Sequence, residues 1–221
     1  MIAAVFKFAY DKRRILPHNP LPAGFRGAFE HEIREVLEPE DFLKIAQLDD
    51  QSLSIAQLRT KYCFILQGLT GIDYCDLKTL SREHLKFNKG VMIKKNRQKT
   101  GEPFRVPLSS SAKFALDKLR EISRGEGNLL VALPTIECTI RHYKKLARLG
   151  GVKINLATKI MRHSFAVDCM DNDSRLEDLQ AMLGHKKIET TQIYAKVTDN
   201  RLREKMSRLQ KTAKSIVLNP I

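Results

Sequence analysis

The chain has 221 residues, 43% apolar and 29% charged, with 39 Lys and Arg against 25 Asp and Glu and a formal net charge of +14. That length and apolar content can close a core, and charges of both signs spread along the chain exclude a disordered polyelectrolyte. No apolar stretch reaches the roughly 18 residues of a membrane-spanning helix.

The basic residues of MIAAVFKFAYDKRR follow its apolar ones, the reverse of a secretory leader, so the expectation is a soluble cytoplasmic protein with no membrane partner. The surplus of positive charge points to a polyanion, nucleic acid foremost. Cys63, Cys75, Cys138 and Cys169 form no C-x-x-C pair and have no His at metal spacing. They read as reduced, mostly buried small apolar residues, and no metal site is indicated.

Residues 1–13 have helical composition and run into PHNPLP, where Pro17, Pro20 and Pro22 exclude helix interior. A short helix ending in a Pro-rich hinge reads as the end of a preceding domain. Residues 1–22 are assigned to that end and its linker, 23–211 to the main domain and 212–221 to a tail. Pro39 suits the first turn of a helix carrying Phe42, Leu43, Ile45 and Ala46. Residues 52–67 place Ile55, Leu58, Tyr62, Ile65 and Leu66 on one face of a core helix, and a short helical segment follows LTGID to about Leu80.

The runs HLKF, VMIKK and PFRVPL, separated by Asn88-Lys89-Gly90 and Thr100-Gly101, predict a small antiparallel sheet with a basic hairpin of Lys94, Lys95, Arg97 and Lys99. Helices are expected over 110–123, 135–149, 156–171, 175–183, 188–196 and 198–211. The fold class is α+β, mainly helical.

Lys159 and Arg162 fall three apart and would project from one helix face, a cationic pair suited to an anion. A solvated basic face is the plainer reading. The apolar neighbours Ile160, Met161, Phe165 and Ala166 favour the clamp, because they bury much of the helix. His185 follows Leu183-Gly184 where a helix would end, and alone it reads as a cap or surface residue. Tyr194, nine residues on, alone reads as an aromatic at the core edge.

Together, RHSFA, LGH and TTQIY resemble the tyrosine recombinase (lambda-type phage integrase) family. TGI-x-x-x-DL at 70–77 resembles the box around the family's first catalytic arginine, and Arg97-Gln98-Lys99-Thr100-Gly101 the hairpin that carries its lysine. The match covers about residues 38–211 with every box in order, a specific signal where one box alone would be weak. The resemblance implies the family's catalytic domain, a site-specific recombinase or integrase that cleaves and rejoins double-stranded DNA to integrate or excise a mobile element. It implies no cofactor. The protein would work in the cytoplasm on the nucleoid, with other protomers in a synaptic tetramer.

Under that resemblance Tyr194 is the nucleophile, forming a 3′-phosphotyrosyl link and freeing a 5′-hydroxyl. Arg162 holds the phosphate oxygens, His185 donates a further hydrogen bond, and Lys99 protonates the leaving oxygen. The remaining basic residues, Lys78, Arg82, Lys86, Lys94, Lys95, Arg141, Lys144, Lys145, Lys186 and Lys187, would include the contacts that position the DNA backbone, and the sequence does not show which of them face it. His163 belongs to the motif and reads as a structural histidine beside Arg162.

Two positions depart from the family. Its first histidine is Lys159 here, which still supplies a cation and donors. Its first arginine is Asp73, which would repel a phosphate. Some integrases of conjugative transposons likewise lack that arginine. Arg97, two residues before Lys99 and on its face if the strand persists, is the candidate replacement or else a backbone contact. Asp73 would pair with Arg162 or cap the next segment. The helix over 198–211, with Leu202, Met206 and Leu209 on one stripe, would dock on its own domain or on a neighbouring protomer. The alternatives are a catalytically impaired DNA-binding or architectural protein on the same fold and, less well matched to the boxes, a type IB topoisomerase.

Overall fold

The structure is a computed structural model that describes residues 2–18, 20, 35–123, 125, 127–195 and 206–207. The chain divides into two units, Met1–Ile33 and Arg34–Ile221. The first contains helix α1 (Ile2–Asp11), which stops ahead of the prolines.

In the second unit, α2 (Pro39–Ala46) opens on its proline with Glu40 and Asp41 in the first turn. Both choices suit a helix N-terminus, where proline lacks an amide that would go unpaired and carboxylates meet the positive dipole end. The central element is α3 (Ile55–Thr70). It begins in a capping box, with the Gln57 amide donating to Ser54 Oγ and the Ser54 amide to Gln57 Oε1. It ends at Gly71, whose φ of +64° turns the chain left-handed.

The expected face of this helix is only partly right. Tyr62 and Leu66 are buried, but Ile55 is 69% exposed on the first turn. Burial instead runs almost round the helix, taking in Gln57, Thr60, Lys61, Cys63, Phe64, Gln67 and Thr70. The polar members are satisfied. Lys61 Nζ donates to the Leu48 carbonyl and pairs with Asp50 at 2.7 Å, while Gln67 accepts from the Tyr143 hydroxyl and donates to the Ile72 carbonyl. That last bond fixes the turn after α3.

Next come α4 (Tyr74–Lys78) and the antiparallel sheet of β1 (Leu85–Phe87), β2 (Val91–Asn96) and β3 (Pro103–Pro107), in that spatial order. Ile93 lies opposite Val106 on the core face, and Lys94 opposite Arg105 on the other. Five helices follow: α5 (Ser110–Ile122), α6 (Ile136–Leu149), α7 (Thr158–Asp171), α8 (Leu176–Leu183) and α9 (Glu189–Gln192). The expected helix over 188–196 is thus a single turn. Of the one over 198–211, only Met206 and Ser207 lie within the described residues, and both are helical.

One part of the core joins α3, α4, the sheet and α5 through Leu66, Leu77, Ile93, Val106 and Leu116. A second joins α2, α3, α6 and α7 through Ile45, Phe64, Tyr143 and Met161. A third sets Phe165 and Met170 of α7 against Leu179 and Leu183 of α8, with Tyr194 packed on it. Of the cysteines expected to be mostly buried, only Cys63 is fully so, and burial pushes its thiol up to about 12. Cys75 is exposed, and Cys138 and Cys169 are half-buried. Among the described residues no helix is long and apolar enough to cross a membrane.

Candidate active site

Arg162 sits on α7 where three loops meet, and its side chain is drawn inward. Nη1 donates to the carbonyl of Gly71 at 2.9 Å, and Nη2 donates to the carbonyl of Leu183 and to His185 Nε2, the latter at 3.2 Å. One guanidinium therefore ties the end of α3 to the end of α8. Burial, then the neighbouring Arg97, bring Arg162 down to about 10, offset in part by Asp73, Tyr194 and Asp76. At neutral pH it remains a cation.

Glycine is required at both ends of this tie. A Cβ on Gly71 would stand 2.3 Å from Phe165 Cδ1, in a left-handed conformation. A Cβ on Gly184, at φ +61°, would press on Arg97 at 2.9 Å and on Phe104 at 3.0 Å.

The hydrogen bonds settle the protonation of His185. A guanidinium only donates, so Nε2 must accept, and Nδ1 carries the proton and donates to the buried hydroxyl of Thr191 at 2.9 Å. Burial, Arg162, Arg97 and His163 hold this imidazole down to about 4. The expected donor to phosphate is here an acceptor from Arg162. To donate at Nε2 it must be released by Arg162 and move its proton there, with the Thr191 hydroxyl then donating to Nδ1.

Arg97 does not share a face with Lys99. β2 ends at Asn96, and the Arg97 amide closes the hairpin turn on the Glu102 carbonyl at 2.8 Å. The Arg97 side chain, 10% exposed, turns into the site, where Nη2 pairs with Asp73 at 3.0 Å and Nε with Asp76 at 3.4 Å. The Gln98 amide adds a bond to Asp76 at 2.7 Å. Asp73 thus caps α4, accepting from the Cys75 amide, and pairs with Arg97 rather than with Arg162.

Lys99 stays exposed on the turn and Lys159 on the first turn of α7. Of the expected Lys159–Arg162 pair, the arginine points inward and the lysine to solvent. Among the described residues neither lysine has a hydrogen bond to the cluster.

Tyr194 follows α9, its amide donating to the Thr191 carbonyl at 3.0 Å. Its hydroxyl lies 2.6 Å from His163 Nδ1 and their ring centroids are 5.6 Å apart. His163, expected as a structural histidine beside Arg162, is thus also a hydrogen-bond partner of Tyr194. Its adjacency to Arg162 in RHSFA marked it, but the sequence does not show its pairing with Tyr194, which needs the fold across 31 residues.

Beside this cluster a cleft of about 800 Å³ has Lys86, Lys94, Lys95, Arg105 and His84 in its lining, with Glu83 as its one carboxylate. Lys94 and Arg105 stand directly opposite each other in the sheet, both exposed. Like charges so placed repel unless an anion lies across them. Among the described residues no group of three His, Cys, Asp or Glu is placed to hold a metal.

The sequence profile of the phage integrase family matches residues 35–201, three-quarters of the chain. The chain belongs to the phage integrase family. Among its relatives, the tyrosine recombinase XerC of Syntrophus aciditrophicus is 26% identical over 216 residues, covering 91% of this chain and 68% of the relative. The tyrosine recombinase XerD of Vibrio cholerae is 28% identical over 162 residues, 67% of this chain and 52% of the relative.

Solved structures share the fold at lower identity. The Tn1549 transposon integrase in complex with circular intermediate DNA superposes with a TM-score of 0.66 at 19% identity, over 93% of this chain and 75% of that one. A lambda integrase dimer bound to a COC′ core site gives 0.65 at 21%, over 88% and 70%. The mainly helical fold with a small three-stranded sheet is that of these integrases. The chain spans about half to two-thirds of the length of several recombinases it matches.

Proposed function

We propose that this integrase-family chain is the catalytic domain of a site-specific tyrosine recombinase, with the domain running over residues 23–211. In this reading it cuts and rejoins double-stranded DNA through a covalent Tyr194–phosphate link, to integrate or excise a mobile element. The observation that carries the proposal is the convergence of family boxes on Arg162: Gly71 and Leu183 hold its guanidinium, with His185 beside it and Tyr194 in contact with His163, the next residue of α7. A buried, fixed guanidinium costs little reorganisation when charge develops on a phosphate, which is how such a group lowers a barrier.

In this mechanism Tyr194 Oη attacks phosphorus, the bond to the 5′-oxygen breaks, and that oxygen takes its proton from Lys99. The exposure of Lys99 on a turn suits a group that must reach a bound strand. Arg162 grips the non-bridging oxygens, and His185, released by Arg162, donates as well once its proton sits on Nε2 and the Thr191 hydroxyl donates to Nδ1. Lys159 supplies a further cation from the same helix once DNA lies across it. Arg97 takes the place of the arginine missing at Asp73: it reaches the same corner from the hairpin, held there by Asp73 and Asp76. The phosphotyrosyl link conserves the energy of the broken bond, so a second 5′-hydroxyl can reverse the step. Such an enzyme would act on the nucleoid, with four protomers in the synaptic complex.

The test is incubation with nicked duplexes carrying candidate element ends. A denaturant-resistant protein–DNA adduct is expected, absent in Tyr194→Phe. Retained duplex binding with no adduct on any end would favour the architectural alternative.

A further inference from the structure

We propose that His163 is the proton acceptor for the nucleophile, taking the hydroxyl proton of Tyr194 as its oxygen bonds to phosphorus. This rests on the recombinase reading above. The contact is direct: His163 Nδ1 lies 2.6 Å from Tyr194 Oη, both residues are half-buried, and Tyr194 packs on the α7–α8 core.

The other groups of the cluster are unsuited to the task. Arg162 and Arg97 have no acceptor. Lys159, where the family has a histidine, is an exposed ammonium with donors only. The two nitrogens of His185 are engaged by Arg162 and Thr191. Asp73 and Asp76 are held by Arg97. His163 follows Arg162 directly on α7, so the base and the phosphate clamp are carried on one rigid element and move together.

With its own proton on Nε2, neutral His163 receives the phenolic proton at Nδ1. The Oη–phosphorus bond forms, the phosphorus–5′-oxygen bond breaks, and Lys99 supplies a proton to the departing oxygen. On rejoining, the His163 imidazolium returns its proton to Tyr194 as the phenol leaves. General bases of this kind contribute about 100-fold or more.

The experiment measures single-turnover adduct formation on a nicked duplex that wild type cleaves. His163→Asn keeps an acceptor near the position of Nδ1 but no basicity, and is expected to lower the rate about 100-fold with duplex affinity retained. Replacing Tyr194 by a trifluorotyrosine, whose hydroxyl ionises near neutral pH, should recover at least tenfold of that loss in His163→Asn and bring no such gain in the wild-type background. In His163→Ala, added imidazole should restore cleavage in proportion to its free-base form. An unchanged rate in His163→Asn, or an equal fluorotyrosine effect in both backgrounds together with no imidazole rescue, overturns the role of His163 alone. Failure of wild type to form any Tyr194-dependent adduct overturns the recombinase reading beneath it.

Discussion

His185 remains neutral in the folded chain down to about pH 4, because burial, Arg162, Arg97 and His163 all oppose its charging. The unfolded chain protonates it near the ordinary value of 6.5. Between those values the unfolded state holds more protons, so stability is lost as the pH falls from about 6.5 towards 4 and is fully present above. Protonation would also remove the acceptor that Arg162 uses. His185→Asn is therefore expected to flatten the fall in stability across that window, measured by denaturant unfolding at pH 7 and pH 4.5. An equal fall in both proteins would show that other groups govern it. A second residue-scale prediction concerns Gly71. Gly71→Ala combines a left-handed backbone with a Cβ 2.3 Å from Phe165, and should cost on the order of 2–4 kcal/mol of stability. The same variant should weaken adduct formation, because the carbonyl that holds Arg162 moves.

At the scale of elements, the hairpin and the turn before α4 are joined by one cation and two carboxylates. Removing Arg97 leaves Asp76, whose side chain is 3% exposed, without its cation, and breaking such a buried pair costs about 3–5 kcal/mol. Arg97→Ala should thus lose both stability and cleavage. Adding Asp73→Arg to Arg97→Ala returns a cation to the same corner beside Asp76 and should recover part of the cleavage. No recovery would show that Arg97 serves only to hold the hairpin.

This latch also marks how far the sequence could be read. The three strands and most helices were legible because prolines, glycines and capping residues punctuate them. Each site box was legible as a string. The inward turn of Arg97 was not, since an alternating pattern gives a strand residue its face only while the strand lasts, and β2 ends one residue earlier. Its direction is set by carboxylates 21 and 24 residues away. Likewise α3 reads as one-sided by period. Its polar back is buried through bonds to Leu48, Asp50, Tyr143 and Ile72 that no local pattern encodes.

Across the whole molecule, the net charge of +14 becomes local in the sheet, where Lys86, Lys94 and Arg105 face outward along one cleft. If this face grips DNA, log affinity should fall linearly with log salt, with a slope of roughly −0.9 for each phosphate neutralised. The double variant Lys94→Ala, Arg105→Ala should then reduce the slope by nearly two without removing sequence preference. An unchanged slope would place the duplex elsewhere.

The turn from Arg97 to Glu102 asks opposite things of residues two apart. Arg97 is fastened at its base, while Lys99 rides free on its crown. Length is consequently a design variable on one side of the turn and forbidden on the other. A glycine inserted after Lys99 should alter the lysine's reach and the cleavage rate while sparing the latch. One inserted within β2 shifts the later strand residues to the opposite face and carries the base of the turn out of register with Asp73 and Asp76, undoing the latch.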